Sequence, residues 1–283
     1  MQLFILATVT MALFAANGLL CRLALTHTDM DAVSFTVVRI VSGALLLLIL
    51  AARKHGKQCW TGGSFKAAAF LFGYMIAFSL AYRGLAAATG TLIIVSSILL
   101  TAIIASRFLG EPLGKHQIIG VAITFCGIIV LLTPAISKPS PIDAIIMASA
   151  GACWVGYSIL GKGSKDPAQD TTGIFLRCLP FTLCLLPFMK SMPLDGVLYA
   201  VVAGALASGL GYILWYRLVT MLSTLTASLV QLIMPIFTAL GGWLFLGEAI
   251  TLRLFVSGVI IISGIAYVHI HTAKHRGENR GRR

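Results

Sequence analysis

Apolar runs of about twenty residues, separated by short polar stretches, recur along the whole chain. They cover 3–21, 34–52, 65–82, 90–109, 117–134, 142–160, 173–189, 196–216, 225–246 and 253–270. A bilayer core of about 30 Å needs roughly 20 apolar residues in helical form. A helix also satisfies its own backbone polar groups, which hydrocarbon cannot do. The pattern therefore predicts an all-α membrane protein with ten transmembrane helices. Pro180 and Pro187 make the seventh run the least regular. The first run has neither a basic leader nor a small-residue cleavage site, so it is read as a retained helix.

The two halves of the pattern echo each other. Tyr82-Arg83 opens a stretch that ends in Phe108-Leu109-Gly110-Glu111 and is followed by Gly120 and Gly127. Tyr216-Arg217 opens one that ends in Phe245-Leu246-Gly247-Glu248 and is followed by Gly258 and Gly264. The spacing from Glu111 to Glu248 equals that from Gly127 to Gly264, and Arg39 and Arg177 hold similar early places in the second helix of each half. The expected organisation is a five-helix repeat over 1–137, a second over 138–271, and a tail over 272–283. Five is odd, so the second copy enters the membrane upside down. Inverted repeats of this kind carry a substrate site near the midplane and support alternating access.

Composition removes the soluble alternatives. Charged residues make up 11% of the chain and hydrophobic residues 58%, and the mean hydropathy is +0.96. Soluble globules carry about 25% charged residues. The net charge of +12 does not mark a nucleic-acid binder, because the basic residues gather in short loops and the tail and form no face with interleaved aromatics. With the N-terminus inside, Arg22, Arg39, Arg83, Lys138, Lys190 and Arg253 fall outside, and the other 15 of the 21 basic residues fall inside. The positive-inside rule then places both termini in the cytoplasm, which agrees with an even number of spans. The tail HTAKHRGENRGRR reads as a disordered basic anchor near anionic headgroups. Cys21, Cys59, Cys126, Cys153, Cys178 and Cys184 show no CxxC or Cys/His spacing and read as small buried residues. No metal site and no cofactor are expected.

The FLGE box that ends spans four and nine, each time followed by a Gly-rich helix, resembles the EamA-type ten-helix drug/metabolite transporter superfamily. The resemblance covers nearly the whole chain in two copies. It implies ten helices around a central cavity and, usually, export of amino acids or other small metabolites across a bacterial inner membrane. The small multidrug-resistance branch of that superfamily carries a carboxylate in its first helix; the comparable stretch here, Phe14-Ala15-Ala16-Asn17, has none.

Ionisable groups inside a bilayer cost from about 2.5 kcal/mol upward, so they are functional suspects. All nine acidic residues fall in loops or at span ends, which favours a facilitator or weakly coupled exporter over an ion-driven carrier. Glu111 and Glu248 read either as caps of the helix that follows or as gating partners of an arginine. Arg39 and Arg177 lie about one turn into their helices, near enough to opposite faces to snorkel. They read as interface anchors or as donors to loop backbone carbonyls, or as a gate or carboxylate partner at each mouth. Asn17 and Gln231 read as interhelical glue or cavity lining. Ser97 reads as back-bonded to its own helix or as a substrate contact. Pro235 and the Ser208-Gly209-Leu210-Gly211 stretch mark spans eight and nine as moving helices. Tyr74 and Phe78, with Trp154, Tyr157 and Tyr212, are expected to line the cavity and to suit a zwitterion with an apolar or aromatic side chain. Tyr82, Trp215 and Tyr216 lie nearer the ends, where an aromatic belt is the ordinary explanation and gating by the two tyrosines the sharper one.

An enzyme is disfavoured: there is no HExxH, no paired carboxylate set and no His/Cys cluster. The expected function is a small-metabolite exporter of the inner membrane, with amino acids the leading substrate class. A multidrug or lipid-intermediate carrier is the alternative. The partners are a small solute and the bilayer, and fused halves make a monomer sufficient.

Overall fold

The apolar runs fold as helices, because hydrocarbon tolerates no unpaired backbone. The computed structural model describes residues 2–56, 60–108, 115–132, 140–222, 227–228 and 230–280. We label the helices α1 (Gln2–His27), α2 (Ala32–His55), α3 (Phe65–Ala81), α4 (Ala87–Phe108) and α5 (Lys115–Leu132). They continue as α6 (Pro141–Gly161), α7 (Pro167–Leu183), α8 (Leu194–Met221), α9 (Met234–Leu246) and α10 (Leu252–Arg280). Five of these, α1, α2, α4, α6 and α8, contain spans long and apolar enough to cross a membrane. With them stand shorter apolar helices in α3, α5, α9 and the first part of α10. The chain is a multi-pass membrane protein.

Local chemistry sets four of the helix starts. Asp31 caps α2 by accepting from the N–H groups of Val33 and Ser34. Asp166 caps α7 in the same way through Ala168 and Gln169. Ser64 and Ser140 cap α3 and α6. The seventh helix therefore begins and ends earlier than its apolar run. Pro167 occupies its first turn, where a missing N–H costs nothing. Pro180 lies inside it, and Pro187 falls beyond it in the 3-10 turn Leu186–Phe188. The tail is also not the irregular segment expected: α10 runs on to Arg280. Its Lys, Arg and Glu residues are good helix formers, and no proline interrupts them.

Packing is reciprocal between the halves. α1 packs on α8 and α9, while α6 packs on α3 and α4; α2 meets α7, and α5 meets α10. Gly127 and Gly264 hold the last of these crossings. A Cβ on Gly127 would meet the Ile261 side chain and backbone, and one on Gly264 would meet Thr124. Small residues let lipid-embedded helices approach closely. Large apolar side chains such as Leu45, Ile145, Trp243 and Phe255 stand exposed on the outside, while Asn17, Arg39 and Gln231 are buried within. That inside-out distribution is what a bilayer solvates.

Candidate functional site

The strongest concentration of polar chemistry lies where α1, α2, α3, α6 and α8 converge. Arg39 of α2 has no exposed surface. Its Nε donates to Ser208 Oγ at 2.8 Å and its Nη2 to Tyr212 Oη at 2.6 Å. The guanidinium lies 5.7 Å from the Tyr74 ring centroid and 5.4 Å from that of Phe78. Its Nη1 has no hydrogen-bond partner, and among the described residues no carboxylate pairs with it. Ser208 in turn donates to Asn17 Oδ1 at 3.4 Å. Arg39 is wholly enclosed by neighbouring helices, and the middle of α8 covers it.

That part of α8 is unusual. Residues Ala203–Leu210 wind as a π-helix, a geometry that recurs at functional sites. Gly204 within it passes so close to α2 that a Cβ would strike the Arg39 carbonyl and the Ser42 hydroxyl. The close approach sets Ser208 and Tyr212, four residues apart and so on one helical face, against the guanidinium.

Around Arg39 the aromatic rings form a continuous set. Trp154 lies 4.9 Å from Tyr74, 5.2 Å from Tyr212, 5.4 Å from Tyr157 and 5.2 Å from Phe14, by ring centroids. Its indole N–H donates to Gln231 Oε1 at 3.1 Å, which brings the 3-10 turn before α9 into the site. Tyr157 stacks on Tyr216 at 4.6 Å, and its own hydroxyl is buried without a partner. At the other end Phe78 meets Tyr82 at 4.7 Å.

Tyr82, Trp215 and Tyr216 are fully buried, which overturns the aromatic-belt reading. The Tyr82 hydroxyl lies 3.2 Å from that of Thr91, Trp215 donates to Ser158 Oγ at 3.0 Å, and Tyr216 donates to the Tyr157 carbonyl at 3.2 Å. Burial and close helix crossings, not proximity to a headgroup layer, place them. Ser97 does not join the cluster. Its hydroxyl back-bonds to the Ile94 carbonyl at 2.8 Å, and it packs against Gly151 of α6.

The two ends of the bundle are tied differently. At the C-terminal end of α3, Arg22 of α1 donates from Nε to Glu248 Oε1 at 3.2 Å and from Nη1 to the Tyr82 carbonyl at 2.8 Å. Glu248 Oε2 accepts the Ala87 N–H at 2.8 Å. Glu248 thus caps α4 of the other half rather than the helix that follows it. Above this pair opens a cavity of about 330 Å³ lined by Thr89, Thr251 and Arg253. Glu111, expected to match Glu248, lies outside the described residues.

At the N-terminal end of α3, Asp170 of α7 accepts the Gly63 N–H at 2.8 Å and the Ser164 hydroxyl at 2.5 Å. Gly63 holds φ at 71°, a conformation only glycine adopts cheaply. Arg177 donates from Nη1 to the carbonyls of Gly62 and Trp60 at 2.5 Å and 3.3 Å. It secures the α2–α3 connection and does not enter the cluster. A cavity of about 250 Å³, lined by Gly63, Asp170, Ile174 and Tyr216, opens here.

Asp31 makes a third tie. Burial alone would raise its carboxyl. Hydrogen bonds from the Ser34 hydroxyl and N–H, and from the N–H groups of Ser191 and Lys190, outweigh that and lower it to about 2.

Sequence reasoning found Asn17, Tyr74, Phe78, Trp154, Tyr157, Tyr212 and Gln231, all of which meet here. It did not single out Phe14 or Phe175, which touch Tyr212, nor the role of Ser208 on Arg39. Among the described residues no cluster of His, Cys, Asp and Glu is fit to hold a metal ion.

The profile of the EamA-like transporter family matches residues 2–133 and again 142–270. An uncharacterized protein of Pseudomonas aeruginosa is 40% identical over 267 residues, covering 93% of both chains. An uncharacterized transporter of Bacillus subtilis is 24% identical over 225 residues, 73% of this chain and 74% of that one. A protein of Streptantibioticus cattleyicolor named as a probable terminal-alkyne amino-acid exporter is 24% identical over 202 residues, 68% and 67% of the two chains. A solved crystal structure at 18% identity superposes with a TM-score of 0.69 over 95% of this chain and 98% of its own, a likeness of fold.

Proposed function

The chain belongs to the EamA-like transporter family, and from that premise we propose that it is a small-metabolite transporter, an exporter of amino acids or amino-acid-like solutes. It works by alternating access around the cluster of Asn17, Arg39, Tyr74, Trp154, Tyr157, Tyr212 and Gln231. The observation that carries this reading is the construction of that cluster from both halves, with ties on either side of it. Arg39 of the first half is held by Ser208 and Tyr212 of the second. The Arg22–Glu248 link and the Asp170–Gly63 link each join one half to the other at opposite ends of α3. A site shared by two halves and closed at both ends is what a rocking carrier requires.

The reciprocal packing, the double family match and the charge asymmetry support ten spans in two inverted repeats, with both termini cytoplasmic and the protein in a bacterial inner membrane. Tyr82 and Tyr216, capping the aromatic column at its two ends, act with the two links as gates, and the Pro235 region and α8 move. The ring faces suit an apolar or aromatic side chain. No carboxylate lies in the cluster, so the reading is of a facilitator rather than a proton-driven carrier.

The test is uptake of a labelled amino-acid panel into proteoliposomes holding the purified protein, with and without an imposed proton gradient. Saturable flux indifferent to the gradient is the expected result. Flux that follows the gradient would overturn the facilitator reading, and no flux of any amino acid would overturn the substrate class.

A further inference from the structure

We infer that Arg39 is the anchor of the solute itself, and that the site takes a molecule presenting one carboxylate, received at the unpaired Nη1 edge of the guanidinium. The inference rests on the transport reading and gives its substrate a required chemical group.

Three observations converge. First, the guanidinium keeps its charge at any physiological pH yet has no exposed surface, and its partners are two hydroxyls and two aromatic rings, none of them anionic. A buried charge without a counter-ion is rare because its desolvation is uncompensated. The ordinary use of such a residue inside a membrane protein is to meet a charge on the cargo. Second, the arrangement leaves one edge of the guanidinium with an unpaired donor. The rings of Tyr74 and Phe78 attend the planar group, and Ser208 takes Nε. Nη1 is left with no partner, beside an Nη2 that donates to the phenol of Tyr212. Nη1 and Nη2 together form the fork that matches a carboxylate in two parallel hydrogen bonds. Third, both holders belong to one helix. Ser208 belongs to the π-helical part of α8 and Tyr212 to the turn after it. A carboxylate that displaces the Tyr212 hydroxyl from Nη2 therefore acts directly on the helix that carries both residues.

The same geometry says what the site refuses. An amide or ester of the same solute offers a neutral acceptor and loses the charge-assisted bonds. A cationic solute meets the guanidinium with no acidic side chain nearby to offset it. Because arginine does not titrate, the preference for a carboxylate is flat across neutral pH.

The experiment uses the full chain purified in detergent and needs no knowledge of the natural solute. Binding is measured by calorimetry and thermal stabilisation for matched pairs: phenylalanine with phenylalaninamide, and phenylacetate with phenylacetamide. The expected result is that each acid binds about 10-fold or more tighter than its amide, as hydrogen bonds to a charged group require. Arg39→Lys should lose most of that preference, since it keeps the charge and lacks the fork, and Arg39→Gln should erase it. Equal binding of acid and amide, or no binding of any of the four, overturns the inference; so does an Arg39→Gln protein that still prefers acids. If the variants do not fold, the acid–amide pairs on the natural protein decide it alone. Acid-selective binding without amino-acid flux would reject the transport reading and keep the anchor. Flux without acid preference would do the reverse.

Discussion

Glu248 holds Arg22 with one carboxylate oxygen, at 3.2 Å, while its other oxygen accepts the Ala87 N–H at 2.8 Å. One side chain thus joins the end of α1, the head of α4 and the loop between α9 and α10. The helix N-terminus favours the negative charge, and the bidentate use of both oxygens fixes its position. Each partner of the ion pair is about one-fifth exposed, so solvent partly screens the link.

Glu248→Gln should loosen that end only. A cysteine placed at Ala88, which lines the adjoining cavity, would then react about 5-fold faster with a membrane-impermeant maleimide, the factor that a contribution of about 1 kcal/mol gives. Unchanged labelling would mean that the link does not govern access.

Arg177→Ala should act at the opposite end. It removes the donor to the Trp60, Gly62 and Gly173 carbonyls and frees the connection between α2 and α3. Labelling of a cysteine at Ser164, beside the cavity there, should rise while labelling at Ala88 stays constant. A parallel rise at both positions would indicate general unfolding instead of a local release.

The Asp31 cap gives a pH signature. Its carboxyl is lowered to about 2 in the folded protein, against an unfolded value near 3.9. Its stabilisation is therefore complete above about pH 4 and is lost as the pH falls through about 2. Asp31→Ala should lower unfolding stability by about 1 kcal/mol at pH 7, the usual worth of a cap, reduced by whatever solvent screening the partly exposed carboxyl undergoes. The difference between the two proteins in thermal unfolding should shrink as the pH approaches 2; a constant difference would assign the effect to packing.

Tyr157→Phe separates structure from use. The hydroxyl is buried without a partner, so its removal should leave stability unchanged or slightly higher. If the hydroxyl meets a polar group on the solute, the same change should reduce discrimination between tyrosine and phenylalanine in flux competition. A fall in melting temperature would show that the hydroxyl has a structural partner.

Gly264→Leu should damage the fold away from the site. The added side chain would be driven into Thr124 and the Gly120 carbonyl, at a cost of about 1–3 kcal/mol for overpacking. Melting temperature should fall with the KM of transported solutes unchanged, and a raised KM would couple the α5–α10 crossing to the centre.

The residues that line the site were legible where their signal was a residue type at odds with its surroundings. Asn17 and Gln231 are amides amid hydrocarbon, and Trp154, Tyr157 and Tyr212 are aromatics deep in their spans. Depth misled in three cases. Tyr82, Trp215 and Tyr216 stand near span ends by position, yet neighbouring helices cover them completely. Ser97 looks like a cavity hydroxyl but spends its proton on its own helix. Arg39 and Arg177 read as a matched pair, with donation to loop carbonyls among their readings; Arg177 does that at Gly62 and Trp60, while Arg39 is enclosed by α8. Nothing in a linear pattern distinguishes these outcomes, because each depends on what lies across from the residue.

The sequence by itself determined the apolar helices and the echo between the halves. Apolar length and the FLGE–glycine spacing act within a segment and need no partner. Only the tertiary structure decided that Glu248 caps α4, that Gly127 packs on Ile261 and Gly264 on Thr124 between α5 and α10, and that Arg39 faces an aromatic cluster with no carboxylate among the described residues. Those facts turn on which helices cross and at what approach, and crossing depends on side chains far apart in the chain meeting in space. A charge becomes buried or exposed only once its neighbours are chosen.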